Sequence, residues 1–235
     1  MHHGTAGALH IIPDRMVEPR GFMGSSIGRK VVMAVTGIIL VGFVMVHMLG
    51  NLQVYLGPGP MNAYGEFLRH FLHGTGLWIA RAVLLAAVIL HIWSATSLTL
   101  TSRRARPIAY REQKWQESTY ASRTMRWSGV ILFFFILYHL MHFTIGNAHP
   151  SFIEGDVYHN FVSGFRSVPV SIVYIVAMVL LGLHLRHGVW SMFQTLGVSH
   201  PRAIAAAKTG AWIYASIVVL GNISFPLAVL AGIIR

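Results

Sequence analysis

Apolar positions along this chain fall into five long runs, near residues 31–55, 76–101, 124–146, 168–196 and 209–233. A helix needs about 20 such residues to cross a hydrocarbon core of about 30 Å, and each run is long enough. The connections between the runs are short. The pattern therefore predicts an all-α integral membrane bundle of five transmembrane helices, forming one domain over residues 29–235 behind a polar tail at 1–28. After the first run, Gly57-Pro58-Gly59-Pro60 stops the helix, because proline lacks a backbone donor and glycine frees the dihedral angles. The next segment spaces Tyr64, Phe67, Leu68, Phe71 and Leu72 on one side, which predicts a short amphipathic helix at the membrane interface. The third run breaks into a polar loop, NAHPSFIEGDVYHN.

Composition sharpens the membrane reading. The 235 residues are 54% hydrophobic and only 11% charged. There is no cysteine, so disulfides, thiolate metal sites, iron–sulfur ligation and covalent c-type haem attachment are excluded. Any cofactor must be held by histidine or methionine. The first 28 residues lack a basic region leading directly into an apolar stretch and a cleavage site, so no cleaved signal peptide is expected. His2-His3 reads as part of that polar start.

The net charge of +11 is unevenly placed. Thirteen cations flank one side: Arg15, Arg20, Arg29 and Lys30; the seven of the 103–126 loop; and Arg202 and Lys208. The other side has three, at Arg69, Arg166 and Arg235. This bias puts the N-terminus and the second and fourth loops in the cytoplasm, and explains the charge without invoking nucleic acid. The dense 103–126 loop is also a candidate docking surface for a cytoplasmic partner.

The candidate chemistry lies in histidines at membrane depth, where an imidazole is costly unless it has a partner. From the cytoplasmic flanks, at 1.5 Å per residue, His47 lies roughly 25 Å in and His139 roughly 20 Å, while His91 and His184 lie at roughly 16 to 18 Å. Four helices thus offer one histidine pair in each half of the membrane. Neutral imidazoles on facing helices are the axial ligands b-type haem requires, from both faces of the macrocycle. A histidine-lined metal or proton transporter, and purely structural or lipid contacts, are the competing readings. All seven acidic residues lie in tails and loops, which removes the intramembrane carboxylates that transporters use for relays.

His142 and His187 neighbour His139 and His184, and each is a ligand, a hydrogen-bond partner or a ring satisfied by backbone. Depth alone matches His142 to His47 slightly better than His139. Arg186 is a cation suited to a haem propionate, or one that snorkels to the inner headgroups. Thr36-Gly37 and Ser128-Gly129 precede His47 and His139 by the same eleven and ten residues. A glycine one layer towards the cytoplasm would let a bulky group approach the backbone; small-residue helix packing is the alternative.

The motifs resemble the five-helix, dihaem cytochrome b anchor of succinate:quinone oxidoreductases and quinol:fumarate reductases. TGIILVGFVMVHMLGN is similar to the family's first helix with its Thr-Gly and downstream ligand, here His47. HIWSATSLTLTSRRARPIAYRE resembles the second ligand, His91, followed by a basic cytoplasmic stretch. The Gly129 offset selects His139 over His142. HLRHGVWSMFQTLG selects His184 over His187, as the ligand four residues before a glycine. The resemblance spans about residues 25–235. It implies iron ligation of a distal haem by His47 and His139 and of a proximal haem by His91 and His184, between a flavin and iron–sulfur dehydrogenase and membrane quinone. Menaquinone and a prokaryotic cytoplasmic membrane follow from the resemblance alone. No family quinone motif matches residue by residue, and Gly182-Leu183 stand where some members place a proton-relay carboxylate.

The expected function is therefore membrane anchoring and electron transfer in a succinate dehydrogenase or fumarate reductase. This chain has no nucleophile, flavin motif or iron–sulfur motif of its own. A dihaem cytochrome b serving another dehydrogenase or a hydrogenase is the nearest alternative. Glu66, His70 and His73 near the outer face read as an exposed polar loop, or as a quinone or proton route.

Overall fold

The computed structural model describes residues 21–105 and 120–235, with side chains from 124 onward in the second part. The N-terminal tail with His2-His3, and the centre of the basic 103–126 loop, lie outside the described residues. Among the described residues there is no strand, and the α-helices are α1 Ser26–Asn51, α2 Pro58–His70, α3 Thr75–Arg104, α4 Tyr120–Leu140, α5 Val157–Phe165, α6 Val168–Thr195 and α7 Pro201–Leu230. Helices α1, α3, α4, α6 and α7 are long and apolar enough to cross a membrane, which makes this an integral, multi-pass membrane protein.

The spans differ from the sequence reading mainly at their polar ends. Helix α1 begins at Ser26, because the Ser25 hydroxyl caps it by accepting the Gly28 N–H at 2.9 Å. Helix α7 begins at Pro201, a residue whose missing N–H costs nothing in a first turn. The amphipathic segment is helical from Pro58 to His70, so the prolines start this helix, while the span before it tightens into a 3-10 turn, Leu52–Leu56, that Gly57 closes with a φ of 95°. Phe71 and Leu72 fall beyond its end, and Leu72 and His73 have φ of 51° and 54°.

Two elements were absent from the sequence reading. Helix α4 runs into a π-helical turn, Met141–Ile145, which carries His142. The supposed polar loop contains α5, capped by Asp156, whose carboxylate accepts the His159 N–H at 2.9 Å and the Asn62 side-chain amide of α2 at 3.0 Å. Asn62 in turn accepts the Tyr158 N–H at 2.9 Å.

Helices α2 and α5 thus lie together at one end of the bundle. Met48, Val54, Met61, Phe161, Phe165 and Phe225 make a buried cluster beneath them. The chain's last residues belong to the same end, with the Tyr158 hydroxyl donating to the Arg235 carbonyl at 3.0 Å. The opposite end is basic, and Arg29 ties α1 to α3 there by donating to the Thr101 hydroxyl at 3.2 Å.

Helix α1 packs on α3, α4 on α6, and α7 on α6 with a lesser contact to α1. The α6–α7 seam uses small residues, with Gly182 against Val219, and Gly221 of α7 receives Met48 of α1. The Tyr214 hydroxyl reaches across to the Val41 carbonyl at 2.6 Å. Exposed Ile38, Val46, Leu85, Phe134 and Leu220 form a surface suited to lipid. The residues on α1, α3, α4 and α6 that the fold does bury are mostly small: Ala34, Thr36, Ala87, Ser94, Ser128 and Ser171.

Candidate functional site: two histidine pairs

The bundle gathers the four candidate histidines into two facing pairs. His47 of α1 and His139 of α4 stand 5.8 Å apart between ring centroids, and His91 of α3 and His184 of α6 stand 6.4 Å apart. The ring of His91 lies against Gly37, and that of His184 against Gly129: a Cβ added to either glycine would meet the imidazole Cε1 at 3.6 and 3.7 Å. Gly37 precedes His47 on α1 by ten residues, and Gly129 precedes His139 on α4 by ten, so the pairs occupy layers about 15 Å apart. The echo between the two sequences marks where the inner pair touches the helices that carry the outer pair.

Hydroxyls accompany the inner pair. Thr36 Oγ1 is 3.2 Å from His91 Nδ1, and Ser128 Oγ is 3.3 Å from His184 Nδ1. Each hydroxyl also donates into its own helix, Thr36 to the Val32 carbonyl at 2.7 Å and Ser128 to the Met125 carbonyl at 3.1 Å.

The outer pair is different. His47 stacks on Phe43 at 5.3 Å, while His139 Nδ1 lies 3.3 Å from the Tyr174 hydroxyl. That hydroxyl is also 3.1 Å from His142 Nδ1. His142 does not face His47. It is fully buried, stacked on Tyr138 at 5.5 Å, with its Nε2 lacking any hydrogen-bond partner. Its ring lies 4.8 Å from His149, which itself is held by the Asn160 carbonyl at 2.8 Å and the Ser151 N–H at 3.1 Å. Tyr174, absent from the sequence reading, is thus the partner of both His139 and His142. Its only sequence signal is its position ten residues before His184 in an otherwise apolar run.

His187 neighbours His184 on the same helix and packs edge-on against Trp190 at 5.3 Å. Trp190 also receives the Lys208 ammonium at 4.9 Å. Arg186 is exposed and follows His184 by two positions, about 200° further round α6, so the fold does not place the two side by side. Glu66, His70 and His73 are exposed at the end of the bundle where α2 lies.

These residues fit a bis-histidine haem on three counts. A metal–histidine bond of about 2 Å on each side puts facing ring centres about 6 Å apart, close to both measured separations. Both Nδ1 atoms of the inner pair, and that of His139, already face hydroxyls, which leaves Nε2 for iron. The rings also stay open: His47 is exposed at membrane depth, and His91, His139 and His184 are only partly covered. Glycine rather than a larger side chain flanks the inner rings. Among the described residues no group of three or more His, Asp or Glu side chains forms a metal cluster.

Fold and site together define a multi-helix membrane subunit built around paired intramembrane histidines. A family model described as the succinate dehydrogenase/fumarate reductase transmembrane subunit matches residues 102–223, just over half of the chain. The chain belongs to that family, a family of cytochrome b membrane anchors. The matched part contains His139, His142, Tyr174, His184 and His187; His47 and His91 precede it. No curated protein and no solved structure matches the chain.

Proposed function

We propose that the chain anchors a succinate dehydrogenase or fumarate reductase in a prokaryotic cytoplasmic membrane and carries electrons between its iron–sulfur subunit and quinone through two b haems. The observation that carries this reading is the pairing of four intramembrane histidines, one from each of α1, α3, α4 and α6, in two layers. His47 and His139 are the proposed ligands of the outer haem iron, and His91 and His184 of the inner. Bound haem supplies a one-electron carrier in each layer. The protein's own contribution is to orient the imidazoles, keep the layers about 15 Å apart and surround them with apolar side chains.

If His139 binds iron through Nε2, its Nδ1 carries the proton and donates it to the Tyr174 oxygen. The same phenolic oxygen lies 3.1 Å from His142 Nδ1, so one hydroxyl serves both rings. His142 in this reading holds the tyrosine and not the metal. Arg186 is the candidate cation for a propionate of the inner haem. The basic 103–126 loop is proposed to face the iron–sulfur subunit on the cytoplasmic side, with the N-terminus on that side too. Menaquinone is the proposed quinone.

The reading is tested by isolating the complex from its native membrane. Flavoprotein and iron–sulfur subunits are expected to co-purify, and succinate to reduce a b-type absorbance band in the membrane subunit. Partners belonging to another dehydrogenase or a hydrogenase would overturn the assignment. Charge reversal in the basic loop is expected to prevent assembly.

A further inference from the structure

The symmetry around the inner pair extends to single atoms. Thr36 of α1 faces His91 of α3, and Ser128 of α4 faces His184 of α6, each through an Oγ···Nδ1 approach of 3.2 or 3.3 Å. A hydroxyl has one proton. Thr36 places its own on the Val32 carbonyl, and Ser128 on the Met125 carbonyl, neither of which has a proton to return. With its proton placed there, each hydroxyl accepts from the imidazole, and the imidazole then carries its proton on Nδ1. The carbonyls of Met33 and Met125 are further acceptors beside the same two rings. These carbonyls can only accept, so an Nδ1–H suits the surrounding of each ring and Nε2 is left as the lone-pair nitrogen.

The hydroxyls are buried, with Thr36 at 5% and Ser128 at 1% exposure, so water does not compete for these bonds. Both sit immediately before the glycines that admit the rings, Gly37 and Gly129. Glycine makes room for the imidazole, and the preceding hydroxyl fixes its tautomer and plane.

We propose that Thr36 and Ser128 are positioning residues for the inner haem, acting through His91 and His184 by accepting their Nδ1 protons. This rests on the reading of His91 and His184 as iron ligands. An accepted Nδ1–H makes an imidazole more basic towards metal, which favours the ferric state and lowers the haem's potential. Among the described residues the outer layer has one such partner, the Tyr174 hydroxyl beside His139 Nδ1, and neither Thr36 nor Ser128 reaches that layer, so removing them acts on the inner one.

The test uses the purified complex carrying Thr36→Val, Ser128→Ala or both, with Thr36→Ser as the conservative control. Haem content, the low-spin resonances and the stepwise redox titration of the two haems are read. Expected are a higher potential and displaced resonance of the inner haem in each single variant, a larger shift in the double variant, and wild-type behaviour in Thr36→Ser. Inner haem should also be held about 10- to 100-fold less tightly in the double variant. Unchanged inner-haem properties in the double variant would overturn the inference, as would an equal shift at both haems, or a Thr36→Ser shift as large as that of Thr36→Val. Should Thr36→Val fail to assemble, Ser128→Ala, which only removes an oxygen, decides alone. Absence of haem from the wild-type complex would instead overturn the underlying haem reading.

Discussion

The two histidine layers are built differently. Around His91 and His184 the same device appears twice, a hydroxyl followed by glycine on the facing helix, so the inner layer is nearly symmetric and depends on four regular helices alone. Around His47 and His139 nothing repeats. His47 has an aromatic stack, His139 has a tyrosine, and that tyrosine is shared with a second histidine on a π-helical turn under the α2–α5 cap. A π turn adds a residue to the helix and redirects the side chains after it, a device often found at functional sites. The inner layer is thus a property of helix packing, whereas the outer depends on how the cap is assembled. Perturbing the cap should affect one layer and spare the other.

The largest effects should come from the rings themselves. His184→Ala is expected to remove the inner haem and His139→Ala the outer, each lowering the haem count of the purified complex from about two to about one per chain. His142→Phe should keep both haems; loss of the outer haem there with retention in His139→Ala would exchange their roles. Next in size are the glycines. Gly129→Leu and Gly37→Leu would drive side chains into His184 and His91, and should displace the inner haem alone. Alanine, whose Cβ would sit 3.6–3.7 Å from either ring, should be tolerated. Optical spectra of the two haems report which layer responds.

Tyr174→Phe leaves two imidazoles without their shared hydroxyl, at a cost of about 1–3 kcal/mol for a buried group left unsatisfied. Its redox titration should shift the outer haem and leave the inner unmoved. Gly164→Ala acts through the cap: its Cβ would meet His142 Cε1 at 2.9 Å and His149 Nε2 at 3.0 Å. Thermal melts should show a loss of about 1–3 kcal/mol, with any spectral change confined to the outer haem.

The smallest effect is electrostatic. The His159 N–H, and then the Asn62 amide, hold the Asp156 carboxyl below its ordinary value of 3.8. A depressed carboxyl stabilises the fold above its unfolded pKa, and this contribution fades as pH falls below about 4. Asp156→Ala should remove the α5 cap at a cost of about 1 kcal/mol and flatten that acid dependence of the melt.

The five spans were legible in the sequence because lipid imposes a long, unambiguous apolar run on each. Depth along a straight helix made legible that His91 goes with His184 and that His47 goes with a histidine of α4, while the choice of His139 there came from the family's glycine offset. Depth slightly favoured His142 over His139, although the two differ by only about 4.5 Å along an ideal helix, less than the error in a helix boundary. The π turn and the approach to Tyr174 separate them, and neither leaves a periodic signal. Helix α5 was hidden because its sequence is short and carries its polar residues, Asp156, His159 and Asn160, for capping and cross-links within an otherwise buried element. The Thr-Gly and Ser-Gly echo was visible, but it was referred to the histidines of its own helices, when the rings it touches are on the neighbouring ones.

The central claim is that four histidines hold two haems in separate layers, and counting haem tests it most directly. A pyridine haemochrome assay on the purified complex should give about two b haems per chain in the wild type and about one in His139→Ala and in His184→Ala, with the layer that survives differing between the two variants. A wild-type complex with no haem, or the loss of both haems together in each variant while the complex stays assembled, would contradict it.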